Sequence, residues 1–262
     1  MKYPKKTLGQ NFLKDLNIVK KIINCTDISG KNVLEIGPGT GVLTNEILKK
    51  KPKSLILIEK DNFLSSKLIL QFSKNKIVKI YNEDVLKFDF ERKLRKNTII
   101  LGNLPYNISS QILVKLIKLT KKPLKYMGLI FMFQKEMADR IVGKFGTSKY
   151  GRLSILTNYR LEILKRFEVS PNCFFPKPKV NSSVLFLKPK KKIFNKIKNI
   201  ENLEKITNIL FSNKRKMINK NIYKIFKKNK KIKLIEDLNL NLRPSNLKPE
   251  TYYQLTELFE NL

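Results

Sequence analysis

The chain has no histidine, no tryptophan and only two cysteines, Cys25 and Cys173, among its 262 residues. Without histidine there is no serine–histidine nucleophile, no imidazole acid or base, and no histidine-ligated metal site. Two cysteines are too few for a four-cysteine zinc site or a disulfide framework, and their scarcity suits a reduced, cytoplasmic setting. No metal is expected. Acids are scarce as well: Asp and Glu number 21 against 55 Lys and Arg, a formal net charge of +34. Long hydrophobic runs are missing too. The longest, such as Leu55-Ile56-Leu57-Ile58 and Leu129–Phe133, have strand length and fall far short of the ~20 residues a bilayer requires. No membrane span is expected, and the polar start Met1–Lys6 lacks the apolar stretch of a secretory signal.

Hydrophobic residues make up 42%, enough for a core and enough to exclude wholesale disorder. The basic excess is almost all lysine, with only eight arginines. Lys, Asn and Ile are favoured together by A+T-rich coding, so part of the charge is compositional. Its distribution, however, is uneven. Between Lys188 and Lys233 there are 17 basic residues against Glu201 and Glu204, whereas Leu234–Leu262 holds two basic residues against five acidic ones. Uniform drift does not produce that contrast. A basic stripe of this kind points to a nucleic-acid backbone.

Short apolar runs alternate with helical spacing. Val33–Ile36, Ser54–Glu59, Ile77–Tyr81, Thr98–Leu101 and Gly128–Phe133 read as buried strands, with Val42–Lys49, Phe63–Leu70 and Ile108–Leu119 as helices among them. Such alternation predicts an α/β fold, a parallel sheet with helices on both sides. Leu161–Val169 and Ser183–Leu187 read as two further strands, joined through Pro171, Pro176 and Pro178, which bar a helix. After Lys188-Pro-Lys-Lys-Lys192 the pattern turns helical, with stripes at Leu203, Ile206 and Leu210 and at Tyr252, Leu255 and Leu258. Two domains are expected: residues 1–190 as the α/β catalytic domain and 191–262 as a small, all-α, basic one.

Val33-Leu-Glu-Ile-Gly37-Pro-Gly39-Thr-Gly41-Val-Leu-Thr44 describes a strand, a tight turn and a helix. Glycines let such a turn approach a ligand closely. The third glycine of a dinucleotide loop would fall on Val42, and no stretch fits a phosphate-binding P-loop. The spacing suits a ligand without a pyrophosphate. Glu59 closes the second strand, where an acid takes ribose hydroxyls, and Asp84 follows the third, where an acid can accept from an adenine amino group. Together they resemble the S-adenosylmethionine site of class I methyltransferases.

After the fourth strand comes Gly102-Asn103-Leu104-Pro105-Tyr106-Asn107. An adenine amine is a poor nucleophile because its lone pair is delocalised into the ring. The side-chain oxygen of Asn103 and the backbone carbonyl of Leu104 can accept its two hydrogens, which favours a pyramidal nitrogen. Pro105 shapes the turn, and Tyr106 offers a ring for the base to stack on. No strong base is needed, so positioning and preorganised dipoles would supply most of the rate. Phe174 either closes the other face of the base or packs against the sheet end. Cys173 follows Asn172 rather than the proline of pyrimidine-C5 methyltransferases, so it is not read as a nucleophile, and Cys25 reads as a small core side chain.

With these blocks in order, the chain resembles the small-subunit ribosomal RNA adenine N6,N6-dimethyltransferases. Leu8-Gly-Gln-Asn11-Phe-Leu13 is similar to that family's N-terminal clamp on the cofactor, with Asn11 and Leu13 at the contacting positions. Gly37, Gly39, Glu59, Asp84 and Asn103 match its cofactor contacts, and Asn103-Leu104-Pro105-Tyr106 its catalytic motif. Gln134–Arg140, Tyr150–Ser154, Phe174–Ser182 and Phe211–Lys216 are similar to further blocks. Asn181 and Met217 stand where the family often has Asp and Thr. The resemblance implies a class I, Rossmann-like catalytic domain with a mostly parallel seven-stranded sheet, and S-adenosyl-L-methionine as methyl donor without a metal. It implies dimethylation of two adjacent adenosines in the 3′-terminal hairpin of small-subunit rRNA, within an immature small subunit. Lys214, Arg215, Lys216 and Arg152 are the expected RNA contacts, and a cytoplasmic monomer is expected.

Three other readings stay open at this point. Erythromycin-resistance methyltransferases use the same motifs on large-subunit rRNA; Tyr150–Ser154 and the basic stretch around Arg215 favour the small-subunit enzymes. Glutamine-amide methyltransferases of proteins use a similar motif but lack the Gln10–Leu13 clamp and the basic appendage. A non-catalytic ribosome-assembly factor on the same fold is disfavoured by the intact Gly37, Glu59, Asp84, Asn103 and Tyr106.

Overall fold

The computed structural model describes residue 5 and residues 9–119, 124–193, 197–227, 232, 235 and 238–262. Leu8 of the N-terminal motif, and Lys196, Lys228, Lys230, Lys231 and Lys233 of the basic stretch, lie outside the described residues. In chain order the elements are β1 (Phe12–Leu13), α1 (Leu16–Ile23), β2 (Asn32–Ile36), α2 (Val42–Lys49), β3 (Ser54–Glu59), α3 (Asn62–Phe72), β4 (Val78–Asn82) and α4 (Phe90–Lys93). They continue with β5 (Thr98–Asn103), α5 (Ser109–Ile117), β6 (Tyr126–Gln134), α6 (Lys135–Ile141), α7 (Arg152–Arg160) and β7 (Leu161–Val169). The last are β8 (Phe174–Phe175), β9 (Ser182–Pro189), α8 (Ile200–Phe211), α9 (Asn219–Phe226) and α10 (Pro249–Glu260).

Seven strands form one sheet in the order β4-β3-β2-β5-β6-β9-β7, while β1 and β8 form a separate ribbon. The pairs β3–β4, β2–β3, β2–β5 and β5–β6 are parallel, and β6–β9 is antiparallel. The apolar runs are the reason. Val33, Leu34, Leu55, Leu57, Ile99, Ile100, Leu129 and Phe131 are at most 1% exposed, as central strands covered on both faces must be. Helices begin where a short acid can hold free amides. Asp61 accepts from the N–H groups of Phe63 and Leu64 at the start of α3, and Asp15 does the same for Asn17 and Ile18 in α1. Ile112, Leu113, Leu116 and Ile117 of α5, read as one face from their spacing, are all fully buried.

The chain forms two compact units, Met1–Ala138 with Ile163–Pro189, and Asp139–Glu162 with Lys190–Leu262. The boundary expected near residue 190 is thus one of three crossings. Residues 139–162, assigned to the catalytic domain from sequence, fold with the helical unit. The reason is hydrogen bonding and packing that no local pattern encodes. Tyr150 Oη donates to the carbonyl of Leu247 at 2.9 Å and Tyr253 Oη to that of Ile155 at 3.3 Å. The ring of Phe211 stacks on Tyr252 with centroids 5.8 Å apart. Leu203, Ile206 and Leu210 on α8 and Leu255 on α10 are fully buried around them, as their stripes foretold, while Leu258 is half-buried.

Strand order places the topological switch point between β2 and β5, where ligands bind at strand carboxyl ends. Close strand approach there leaves no room beside Gly102. A side chain would begin 2.7 Å from the carbonyl oxygen of Ile36 and 2.9 Å from a methyl of Leu104. Gly102→Ala should therefore destabilise the chain by about 1–3 kcal/mol, lowering the midpoint of thermal unfolding by several degrees. An unchanged midpoint would show that β2 and β5 can part at this level without cost.

Candidate active site

A cavity opens at the carboxyl ends of β2, β3, β4 and β5 and runs beneath residues 9–12. All of its walls lie in the first unit. After β2 the chain turns on Gly37, Gly39 and Gly41, all with positive φ. Gly39 is constrained twice over. Its φ is +59°, and the ring of Phe12 stands 2.9 Å from where its side chain would begin. Its N–H donates to Glu59 Oε2 at 3.1 Å, and the N–H of Asp61 donates to Oε1 at 2.9 Å. Glu59 thus ties the glycine turn to the end of β3. Burial pushes its carboxyl upward, and the amides of Asp61 and Gly39 oppose that.

A second acid lies under the turn. Glu35, on β2, is fully buried; its Oε2 accepts from Thr44 Oγ at 2.6 Å, and its Oε1 has no hydrogen-bond partner among the described residues. Burial raises it to about 8, with Glu59 adding to the rise. Asp84 is the opposite case. Lys60 Nζ pairs with its Oδ2 at 2.8 Å and the N–H of Leu86 donates to Oδ1 at 2.9 Å. The Lys60 ammonium holds this carboxyl below its ordinary value, against partial burial. Glu35 on β2 and Asp84 after β4 are therefore shifted in opposite directions, one by burial and the other by a paired ammonium.

Asn103 ends β5. Its Nδ2 donates to the backbone carbonyl of Asn11 at 2.7 Å. That bond engages the NH2 side of the amide and so fixes its rotamer, on a residue that lines the cavity. The missing side chain of Gly37 would begin 3.8 Å from the Asn103 carbonyl, so the glycine turn and the motif meet at the switch point. Pro105 and Tyr106 line the same wall with Leu104. Tyr106 Oη and Ser182 Oγ share a hydrogen bond of 2.7 Å. Burial raises the phenol, so it stays protonated. The N-terminal segment is latched by Asp61, which takes an ion pair from Lys5 at 2.8 Å and a hydrogen bond from Gln10 Nε2 at 3.3 Å.

The cavity thus brings together Asn11, Gly37, Gly39, Glu59, Asp84, Asn103, Leu104, Pro105 and Tyr106. It does not bring Leu13 or Phe174, which sit in the hydrophobic core at 4% and 1% exposure. Alternation across the ribbon explains this. Leu13 pairs with Phe174 on its buried face, and Phe12 pairs with Phe175 on the other. Of the two options for Phe174, the structure shows packing. Phe12, Lys60 and Ser182 were missed from sequence. The period of two in Phe12-Leu13 was the available signal for Phe12, but a two-residue strand is too short to reveal it. Cys173 is buried with Sγ 3.6 Å from Asp15 Oδ2; burial and that carboxylate raise the thiol, the reverse of an activated nucleophile. In the second unit, Arg152 opens α7 and Lys214, Arg215 and Lys216 occupy the turn after α8, all exposed. The ring of Phe211 lies 3.8 Å from where a side chain on Gly151 would begin, which places both basic groups at one end of that unit.

A central parallel sheet in which β2 turns on glycines and the adjoining β3 ends in an acid has the layout of a nucleoside site without a pyrophosphate. Beside it stands an amide whose NH2 is held by a backbone carbonyl. Fold and site together define a class I, S-adenosylmethionine-dependent methyltransferase. The likeness to known proteins narrows the class. The family described as ribosomal RNA adenine dimethylase matches residues 1–261, and the chain belongs to it. A Pelagibacter ubique protein named ribosomal RNA small subunit methyltransferase A is 46% identical over 258 residues, 98% of this chain and 97% of that protein. A Malacoplasma penetrans protein of the same name is 40% identical over 267 residues, 99% of this chain and 93% of that protein. Among solved structures, a dimethyladenosine transferase from Plasmodium falciparum superposes with a TM-score of 0.76 at 28% identity, covering 95% of this chain and 98% of that one. The 23S rRNA methyltransferase ErmE shares the fold, with a TM-score of 0.69 at 21% identity over 95% of this chain and 99% of that one. Among the described residues, no helix is long and apolar enough to cross a membrane.

The buried Glu35 generates a pH dependence. It titrates at about 8 in the folded chain against an ordinary 4.5. Between these values the folded chain holds a proton that the unfolded chain has lost, so stability falls as pH rises across the window. Glu35→Gln has no such proton. Its stability relative to wild type should climb steadily from pH 4.5 to pH 8, by at most about 5 kcal/mol. Urea unfolding at several pH values measures it, and a difference independent of pH would mean that Glu35 is ionised throughout.

Proposed function

We propose that this chain transfers methyl groups from S-adenosylmethionine to N6 of two adjacent adenosines in the 3′-terminal hairpin of small-subunit rRNA. The substrate is an immature small subunit, and the enzyme acts as a monomer in the cytoplasm. The observation that carries the reading is the Asn103 amide, oriented by the Asn11 carbonyl at 2.7 Å inside the cavity. Relatives at 40–46% identity that carry the name small subunit methyltransferase support the choice of substrate.

The residues present fit the methyl donor. Glu59 offers a carboxylate to ribose hydroxyls, Asp84 an acceptor to the adenine amino group, and Ile58, Val85 and Leu86 an apolar wall. The turn at Gly37 and Gly39 has no side chains to obstruct the amino-acid portion. S-adenosylmethionine supplies an electrophilic methyl on a sulfonium. Asn103 Oδ1 and the Leu104 carbonyl accept the two N6 hydrogens of the target base and draw its lone pair out of conjugation. The lone pair attacks the methyl carbon in line, the carbon–sulfur bond breaks with its electrons left on sulfur, and the spent amine proton passes to solvent. Tyr106, held by Ser182, supports the base from one face. Asn103 lies half-buried at the cavity's wall, where the pocket must admit one methyl group for the second transfer. Lys214, Arg215, Lys216 and Arg152 hold the RNA backbone, a contact that weakens with salt.

Tritiated methyl transfer to unmethylated small-subunit and large-subunit particles tests this. Label is expected in N6-dimethyladenosine of the small subunit alone. Asn103→Ala should lower the rate by roughly 10²–10³-fold while the Kd for the methyl donor changes far less. Label in the large subunit alone would move the chain to the resistance-enzyme branch. No label with intact donor binding would favour the assembly factor.

A further inference from the structure

Residues 175–181, Phe-Pro-Lys-Pro-Lys-Val-Asn, form a short loop with an unusual combination of features. It is pinned at both ends to the wall of the cavity. At one end Phe175 is the cross-strand partner of Phe12, which lines the cavity. At the other end Ser182 shares its hydroxyl with Tyr106 Oη at 2.7 Å, and the carbonyl of Asn181 accepts from the N–H of Lys135 at 2.9 Å. Between the anchors the side chains face solvent, except for the half-buried Pro178. Phe175 is 53% exposed and Val180 45%. Lys177 and Lys179 are exposed and have no ion-pair partner among the described residues.

An aromatic ring left in water costs free energy unless something covers it. The ribbon gives a reason why it is left there. Opposite residues of an antiparallel pair point to the same side, so Phe174 follows Leu13 into the core while Phe175 follows Phe12 outward. Proline on both sides of Lys177 restricts the loop's backbone, so holding the ring out costs little further entropy. A flat ring beside two free ammonium groups, at the rim of a cavity, is the arrangement that takes single-stranded nucleic acid. Bases stack on the ring and phosphates lie along the charges.

We propose that Phe175 stacks on the nucleotide base that flanks the one in the cavity, with Lys177 and Lys179 on the adjoining phosphates. This rests on the reading of the chain as an RNA methyltransferase, and it adds a second base-contact point outside the cavity. The two adjacent adenosines then occupy two aromatic places, Tyr106 inside and Phe175 at the rim. They exchange places between modifications while the strand stays bound.

The test uses the full chain with Phe175→Ala, Phe175→Leu, Phe175→Trp and a Lys177→Gln/Lys179→Gln double variant. With unmethylated small-subunit particles, Phe175→Ala should raise KM about tenfold, with the melting midpoint and the Kd for S-adenosylmethionine unchanged. Phe175→Trp should restore KM and Phe175→Leu should not. The lysine pair should flatten the salt dependence of binding, by roughly 0.7 in logarithmic slope for each lost phosphate contact. Binding of a single-stranded oligoribonucleotide with paired adenosines, measured without turnover, is the separate arm. An equal Kd for wild type and Phe175→Ala there overturns the proposal even where methyl transfer is intact. Full rescue by leucine overturns it in favour of an apolar protein contact. Absence of methyl transfer by the wild type, with the oligonucleotide Kd still sensitive to Phe175, would instead count against the proposed reaction and leave the stacking contact supported.

Discussion

Two parallel strands, β2 and β5, lie side by side at the centre of the sheet with opposite chain directions of growth on either side of them. Everything at the site depends on that adjacency. Sheet order forces a crevice at their carboxyl ends, and the strands run close enough that Gly102 has no space for a methyl group. The turn after β2 and the motif after β5 are therefore neighbours although 66 positions separate Gly37 from Asn103. The other parts attach to this pair. Glu59 reaches from β3 to hold the Gly39 amide, and Asn11 reaches from the N-terminal segment to hold the Asn103 amide. The glycine turn and the Asn103 motif are thus both set by hydrogen bonds to backbone groups, which hold direction better than contacts between mobile side chains.

The acids show how one sheet edge supports different charge states. Asp84 pairs with Lys60 and is partly open to water, so it is a carboxylate. Glu59 is buried but receives two amide N–H groups, which partly offset the loss of solvent. Glu35 receives only one hydroxyl and is fully buried, so it keeps its proton near neutral pH. A charge on Glu35 would add to the repulsion at Glu59, whose carboxylate holds the glycine turn. The neutral acid therefore spares Glu59 that repulsion, and both serve the geometry of the turn.

Much of this was legible in the chain. Apolar runs bounded by glycine and acid gave the central strands to within a residue or two, because burial on both faces leaves a strong local imprint. The glycine turn, Glu59, Asp84 and the Asn103–Tyr106 motif were legible because each is contiguous or closes a recognisable strand. Two kinds of information were not. Residues 139–162 carry no mark of the unit they join, since the bonds of Tyr150 and Tyr253 span 97 and 98 positions. The facing of the β1–β8 ribbon was equally silent. Leu13 and Phe174 resemble contact residues in type and neighbourhood, yet a pairing register of two residues decides that Phe12 and Phe175 face outward instead.

A chain without histidine has to explain how it would activate an amine near neutral pH. The site's answer needs no proton acceptor of matched strength. An N6 amine loses its spare proton only after the new carbon–nitrogen bond has made it acidic, so water can take it. What limits the reaction is the lone pair, which must leave the ring system and point at the methyl carbon. In the proposed reaction, acceptors fixed in direction would accomplish this, and fixed direction is what the Asn11 carbonyl imposes on Asn103 and the proline turn imposes on Leu104. For that proposed reaction, the same reasoning gives the N-terminal segment a part in the chemistry beyond covering the cavity. Free rotation of the Asn103 amide would present NH2 as often as oxygen to the incoming amine. The 2.7 Å bond to Asn11 removes that ambiguity, and the latch from Asp61 to Gln10 and Lys5 keeps Asn11 where it can do so.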